Sequence, residues 1–440
     1  MRVLVCGDSL FSSRNLVNRL DHRVVEQLLS ADAVFTNAEF CTPRQTTPPA
    51  PGRGYMTSVR AETLDEFLNL NMRLISFANN HIGDYGWQGT VDTIEAAEER
   101  NLIYCGIGRS LEDARKAHFL DTAKGRVGVV ATSSTRSEVF AASSPGAGVA
   151  ARPGTNPLRW GRAYVLPEKE FERLKHIDQI LGTQASALEG TRVETWPLPG
   201  PDTFPFGSLF EGNLKIERGE SAYVRTYVNK KDELEILKSV QDAAKRSDVA
   251  LVSLHTHEGI NENWYSPQPP SFIEEFARRA IDAGASAVVG HGAHFLRGVE
   301  IYKGHPIFYN LGSLLMEFEA GESIIAPEMY KAYGLNADSR PSDLHSARAQ
   351  DKNGNFIGFN ADRRFSKNCL ALLDFEGGSL KFNLLPINLG LNRKRPLDRG
   401  LPVIASAEVG KEIADDLTRM SERYGTKFYY QEHTGLITVR

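Results

Sequence analysis

An α/β fold built on a largely parallel sheet is predicted by three observations. Short apolar runs of strand length alternate with stretches of helical spacing, the pattern of βαβ units. Five of those runs end in side chains that bind metals or move protons, and ligands in open α/β sheets sit beyond the carboxyl ends of the strands. The chain has 440 residues, 41% of them hydrophobic. That is ample for a large core, in one domain with insertions or in two.

Val3–Cys6 reads as the first strand, and His22–Leu29 as a helix with Asp21 placed to cap it. Val34–Thr36 is a strand, Thr63–Leu70 a helix, Arg73–Phe77 a strand, Gly89–Arg100 a helix, and Leu102–Tyr104 and Val127–Ala131 two more strands. Residues 133–160 are rich in Ser, Ala, Gly and Pro and read as a long loop. Pro167–Leu181 has helical spacing. Residues 184–229 carry Trp196, Phe204, Phe206 and Phe210 without clear periodicity. The stretch 133–230 is therefore expected to be a loop-rich insertion, either covering the site or forming a peripheral subdomain.

Alternation then resumes with helix Asp232–Ser247, strand Val249–Leu254, helix Ser271–Ala283 and strand Ser286–Val289. Leu296–Tyr302 and Pro306–Leu311 flank Lys303-Gly304-His305, a hairpin signal. Residues 318–366 read as irregular and polar. Cys369–Phe375 and Leu380–Leu385 form a second hairpin around Glu376-Gly377-Gly378. Helix Ser406–Tyr424 and short strands Lys427–Tyr430 and Leu436–Val439 close the chain. A core domain over 1–320 is expected, with 321–440 as a C-terminal α+β extension packed on it.

The net charge is -4 with no basic stripe or acidic block, which argues against nucleic acid as a partner. The four cysteines lie far apart with no CxxC pair, so reduced buried thiols fit better than disulfides or a cysteine zinc site. The apolar run after Arg2 is too short for a secretory signal, and no stretch approaches the length of a membrane helix. A cytoplasmic protein without its own membrane segment is expected.

The five tip segments carry the chemistry. Asp8 follows Gly7 after the first strand, and its carboxylate can bind a cation or cap a turn. Glu39 ends the Asn37-Ala38-Glu39 segment and offers a second carboxylate. In Asn79-Asn80-His81, the Asn80 amide oxygen can ligate a metal and His81 can donate a proton to a leaving group. Asp84 can orient His81 by accepting its other ring N–H. His255, His257 and Glu258 follow a strongly apolar strand. Residues two apart point the same way, so both histidines face one site with Glu258 turned aside. His257 and Glu258 join His81 and Asp84 as candidates for proton transfer. His291 and His294 bracket Gly292-Ala293, where small residues let backbone approach a metal or substrate. Imidazole and carboxylate donors together suit zinc, manganese or iron. These segments hold five of the eleven histidines, so chance placement is a poor explanation.

The series Gly7-Asp8, Asn37-x-Glu39, Ala78-Asn79-Asn80-His81, His255-x-His257-Glu258 and Gly290-His291-x-x-His294, followed by RGVEIYKGHPIFYNLGS, resembles the CapA family of bacterial capsule and poly-γ-glutamate synthesis proteins. That family belongs to the calcineurin-like metallophosphoesterase superfamily. The resemblance covers roughly residues 1–315, with a weaker match in Leu401–Gly425. It implies a sandwich of two sheets flanked by helices, with the site at the strand tips and one or two divalent ions. It assigns Asp8 as the first aspartate, Glu39 as the bridging carboxylate, Asn80 as the amide ligand and His81 as the catalytic acid. His255, His291 and His294 become the late histidine ligands. Three departures stand out. Leu10 occupies the histidine position of the superfamily's DxH motif, as in other CapA-type sequences. His291 and His294 replace the usual GHxH spacing, and Ser313 ends a motif that usually ends in Asn.

Three functions are compatible with these residues. The first is metal-dependent hydrolysis of a phosphoester or a γ-glutamyl peptide bond in capsule, polyglutamate or peptide metabolism. The second is metal-independent epimerisation or isomerisation of a peptide by His and carboxylate pairs, motivated by the missing DxH histidine. The third is a non-catalytic subunit that binds polyglutamate during its synthesis or export. Arg136, Arg152, Arg159, Arg162 and Lys303 are the candidate contacts for carboxylates of a small-molecule, peptide or polyglutamate substrate.

Overall fold

The computed structural model describes residues 1–52, 54–195, 197, 199–207, 212–317 and 322–439. Trp196 and Phe210 lie outside them. The chain opens with β1 (Arg2–Phe11), α1 (His22–Ser30), β2 (Ala33–Ala38), β3 (Leu74–Ser76), α2 (Gly86–Glu99), β4 (Ile103–Cys105), β5 (His118–Thr122) and β6 (Gly125–Ser133). Asp21 caps α1 by accepting a hydrogen bond from the Arg23 N–H, as its position predicts. The helix expected over Thr63–Leu70 is a 3-10 turn, Ala61–Leu64, running into a short helix, Asp65–Asn69.

The stretch expected to be a loop-rich insertion is folded. It contains β7 (Trp160–Pro167), α3 (Glu168–Leu181), which is the helix expected over Pro167–Leu181, and, in the part read as aperiodic, α4 (Gln184–Val193), β8 (Thr203–Phe206), β9 (Leu214–Gly219) and β10 (Tyr223–Val228). These strands form their own sheet, ordered β8-β9-β7-β10, over a small core of Phe171, Phe204 and Ile216. The short, half-exposed strands bury few side chains, so they carry a weak alternation signal.

The rest comprises α5 (Lys230–Arg246), β11 (Val249–Thr256), α6 (Ser271–Asp282), β12 (Ala287–Gly292), β13 (Val299–Tyr302), β14 (His305–Phe308), β15 (Ser313–Glu317), α7 (Pro341–Ala349), β16 (Lys367–Glu376), β17 (Ser379–Asn388), α8 (Ala407–Ser421), β18 (Phe428–Gln431) and β19 (Leu436–Val439). Asn229 caps α5 by accepting from the N–H groups of Lys231 and Asp232, which starts the helix two residues before the expected Asp232. Helix α7 lies inside the stretch expected to be irregular, of which residues 318–321 fall outside the described set.

Two large sheets stack face to face with helices outside, the arrangement the resemblance implies. Among the described residues the first has ten strands, in the order β18-β19-β17-β16-β1-β2-β3-β4, with β15 pairing β1 and the short strand Val403–Ile404 pairing β17. The second has six, ordered β13-β14-β12-β11-β6-β5. The C-terminal stretch is thus woven in: β16 runs antiparallel to β1, and β17 runs antiparallel to β16.

Alternation along the strands builds the layers. Val3 and Val5 of β1 pack between the sheets with Val129, Leu251 and Val289. Leu4 and Cys6 face the other way, with Val24 of α1 and Ile94 of α2. Val130, Val252 and Val288 cover the outer face of the second sheet beneath Ile236 of α5 and Phe272 and Phe276 of α6. Each such side chain contributes about 1.5–3 kcal/mol of burial. The parallel strands β1 and β2, and β6, β11 and β12, therefore end on the same packed platform.

Candidate metal centre

Asp8 is not at the end of its strand. It sits inside β1 at a break in register, where pairing with β2 skips from Val5 to Asp8. The break depends on Gly7: a Cβ there would lie 1.9 Å from the carbonyl oxygen of Gly312. The Asp8 N–H donates to that same oxygen at 3.0 Å. The Asp8 carboxylate is fully buried and accepts from Asn37 Nδ2 at 2.8 Å and from the Gly292 N–H at 2.7 Å. Gly292 has φ 114°, a conformation that suits glycine and turns its N–H toward Asp8.

Two histidines meet Asp8 from adjacent strands. His255 on β11 pairs in register with His291 on β12. His255 Nε2 lies 2.6 Å from Asn80 Oδ1, so it carries the proton and Nδ1 carries the lone pair. Ser253 Oγ lies 2.7 Å from His291 Nε2. The two Nδ1 atoms then face each other at 3.1 Å, and lie 3.8 and 3.3 Å from Asp8 Oδ1. Such convergence needs a hydrogen on His291 Nδ1, with Ser253 donating to Nε2, or a cation between the lone pairs.

Glu39 follows β2 and is fully buried, yet neither carboxylate oxygen has a hydrogen-bond partner. Its Oε1 is 3.6 Å from His257 Nε2 and its Oε2 is 3.6 Å from His294 Nδ1. His257 Nε2 is also buried without a partner. A buried carboxylate facing two imidazoles has the donors to hold a cation, and without one it is held neutral, because an isolated buried charge is too costly. The donor atoms fall into two groups of three, Asp8-His255-His291 and Glu39-His257-His294, each within 4.8 Å. His294 Nδ1 joins them, 3.4 Å from Asp8 Oδ2. His294 adopts φ 62°, a left-handed backbone that costs a non-glycine residue on the order of 1 kcal/mol.

The electrostatics favour ligand forms at Asp8, His255 and His257. Burial alone would raise the Asp8 pKa, but hydrogen bonds from His291 and His294 hold it well below the usual carboxylate range. Burial pushes His255 and His257 well below ordinary imidazole values, which keeps them neutral. Burial and the nearby Asp8 charge raise Glu39 well above its ordinary value. A bound cation would reverse that preference.

His81 and Asp84 stand beside the cluster. His81 Nδ1 lies 2.7 Å from Asp84 Oδ2, and Nε2 lies 3.9 Å from Glu39 Oε1. Asn79 shapes this turn: its Oδ1 accepts from the His81 N–H, and its Nδ2 donates to Ala38 O.

Glu258, read as a proton-transfer candidate, is placed differently. Its Oε2 accepts from the hydroxyls of Ser134, Thr135 and Thr256, at 2.7, 2.9 and 2.8 Å, and it belongs to neither ligand group. It is a positioning residue for the 134–136 turn, turned aside as strand alternation predicts. His257, read with it, stands instead among the ligand-capable histidines. Sequence reasoning missed Ser253 and Arg297. Arg297 is fully buried and donates to the carbonyls of His257, Glu258 and Ser266. A lone Arg after an apolar run gives no sequence signal for that role.

The cluster opens into a cleft of about 360 Å³ whose floor includes Asn80, His81, His257 and His294. Its walls come largely from the C-terminal stretch, through Arg348, Phe359 and Asn360. Residues 133–230, read as a possible cover, contribute Arg136 among the described residues. Of the other basic candidates, Arg159 pairs with Asp232, Arg162 with Glu262 and Lys303 with Asp282, and Arg152 donates to Ala141 O.

The family described as "Bacterial capsule synthesis protein PGA_cap" matches residues 2–317. An uncharacterized Sinorhizobium fredii protein, y4sH, is 31% identical over 426 residues, covering 94% of this chain and 88% of its own length. The PGA biosynthesis protein CapA of Bacillus subtilis is 24% identical over 330 residues, covering 73% and 64%. A solved structure described as a novel phosphatase from Mycoplasma pneumoniae aligns over 88% of this chain and 93% of its own, at 11% identity and a TM-score of 0.38. With a match across more than two thirds of its length, this chain belongs to the PGA_cap family of bacterial capsule synthesis proteins.

Proposed function

We propose that this protein is a metal-dependent hydrolase acting on a phosphoester or γ-glutamyl peptide bond in capsule or polyglutamate metabolism. The process is the one named for the Bacillus subtilis relative and for the family. The observation that carries the reading is Glu39, a buried carboxylate with two partnerless oxygens between His257 and His294. Asp8, His255 and His291 would hold one divalent ion, and Glu39, His257 and His294 would hold a second. Zinc, manganese and iron all accept this mixture of donors. Such an ion supplies Lewis acidity toward a phosphoryl or carbonyl oxygen and lowers the pKa of water.

The chain's own groups do the rest. Asp84 accepts the Nδ1 proton of His81, which leaves Nε2 as the atom that exchanges a proton on the cleft side. With a second proton on Nε2, taken from solvent in the open cleft, His81 as imidazolium protonates the departing oxygen or nitrogen and returns to the neutral Nδ1–H form. Asn80 fixes the tautomer of His255, and Asn37 and Gly292 fix the Asp8 carboxylate. The test is turnover of bis(p-nitrophenyl) phosphate and of a γ-glutamyl anilide by metal-supplemented protein. The reading requires turnover of at least one, and its loss in Asp8→Asn and His81→Ala.

One feature favours metal-independent epimerisation as a second reading. With no cation, Glu39 holds its proton and His257 its lone pair, 3.6 Å apart. Solvent-deuterium uptake into a peptide substrate in the presence of a chelator would select it.

A further inference from the structure

The cleft carries a cationic device that the hydrolytic reading does not use. Arg348, on α7, lays its guanidinium over the ring of Tyr55 at 3.6 Å from the centroid. Tyr55 in turn meets the ring of His81 edge-on at 6.2 Å. Arg348 is half-buried, and among the described residues no carboxylate pairs with it. Its neighbour His345 stays neutral beside it, because burial and Arg348 push that imidazole down to about 3. Arg136 supplies a second cation to the same cleft, from an exposed position with φ 51°. That turn is held by Glu258 through Ser134 and Thr135.

Aromatic rings surround the histidines that face the cleft. Trp264 packs on His257 at 5.0 Å and Phe359 on His294 at 6.0 Å, as Tyr55 packs on His81. A wholly polar or inorganic ligand has no use for such rings. An organic body between two acidic groups does, because the rings cover its apolar part while cations bind its ends.

We propose that the cleft selects a small organic substrate with two acidic groups, one seated at the metal centre and the other, a carboxylate or phosphate, held by Arg348 with Arg136 beside it. This rests on the metal-centre reading above and adds the substrate class. Arg348 is then a specificity-determining residue contributed by the C-terminal stretch. A guanidinium bonds an oxyanion through two parallel N–H groups, which Lys cannot reproduce.

The test titrates zinc-loaded full-length protein by calorimetry with propylphosphonate, 3-phosphonopropionate and 1,3-propanediphosphonate, with bound zinc measured in each sample. The two-acid probes should bind about tenfold or more tighter than propylphosphonate, the worth of one charge-assisted contact. Arg348→Met should erase that advantage while zinc content and propylphosphonate affinity hold. Arg136→Met, at an exposed position, should weaken the two-acid probes selectively and serves as the check if Arg348→Met fails to fold. The tighter of the two probes identifies the remote group as carboxylate or phosphate. Equal binding of all three, or an advantage that survives both substitutions, overturns the proposal. If the protein holds no zinc, the metal reading fails separately. The arginine assignment is then judged with glutarate against its monomethyl ester: an Arg348-dependent preference for glutarate sustains it, and no preference overturns it.

Discussion

Asp84 Oδ2 lies 2.7 Å from His81 Nδ1, and the same oxygen accepts the Thr57 N–H at 2.8 Å. The carboxylate is therefore anchored before it orients the imidazole, and His81 presents Nε2 toward Glu39. Asp84→Asn should keep the fold and the metal but lose the tautomer control. Turnover should fall roughly a hundredfold, within the range of general acid catalysis. Steady-state rates together with metal content check this; equal loss of metal would mean that Asp84 acts on the ligand set instead.

Glu39 gives a prediction of opposite sign for the metal-free protein. A buried carboxylate without partners destabilises the fold that holds it. In chelator-treated protein, Glu39→Gln should be more stable than the parent by about 1–2 kcal/mol in urea titrations. In metal-loaded protein the order should invert, because the variant forfeits the stabilisation that ligand binding brings.

Arg297 ties the His257-Glu258 turn to the segment carrying Trp264 and Ser266. Arg297→Met leaves buried carbonyls without donors and should lower stability by about 3 kcal/mol or more. Arg297→Lys should recover little of it, since one ammonium cannot span carbonyls that the planar fork reaches. Denaturant midpoints of the two variants decide between this and a purely packing role.

His118 sets part of the acid sensitivity. Burial and Lys116 push its pKa from 6.5 to about 4, and its Nε2 is buried without a partner. As pH falls through 6.5 the unfolded chain takes up a proton that the folded chain refuses until about pH 4. Stability is thus fully present above pH 6.5 and lost on acidification between those values, by up to about 3 kcal/mol. His118→Gln should flatten the pH dependence of the thermal midpoint across that window, and an unchanged slope would contradict the account.

Much of this site was legible in the sequence because its donors lie within a few residues of apolar runs. Asp8, Glu39, His255 and His291 each follow buried β-branched or aromatic residues, and the period-two rule places His255 and His257 on one side and Glu258 on the other. Contacts that depend on chain segments far apart were not legible. Ser253 reaches His291 only because β11 and β12 run in register. The wall formed by Arg348 and Phe359 comes from a stretch with weak periodicity, where short helices bury few side chains. Nor does the sequence reveal that Asp8 lies at a register break rather than a strand tip, since the close approach of Gly7 to Gly312 spans 305 residues. The folded insertion was hidden for a related reason: its half-exposed strands lack the clean alternation of the core.

A divalent cation held by Asp8, Glu39 and the surrounding histidines is what the proposed function requires. The most direct measurement is the metal content of purified, untagged protein by mass spectrometry, before and after incubation with zinc, manganese and iron, alongside Asp8→Asn and Glu39→Gln. One or two equivalents per chain are expected in the parent, with a clear fall in each variant. Parent protein that takes up no metal, or variants that bind as much as the parent, would contradict the proposed function.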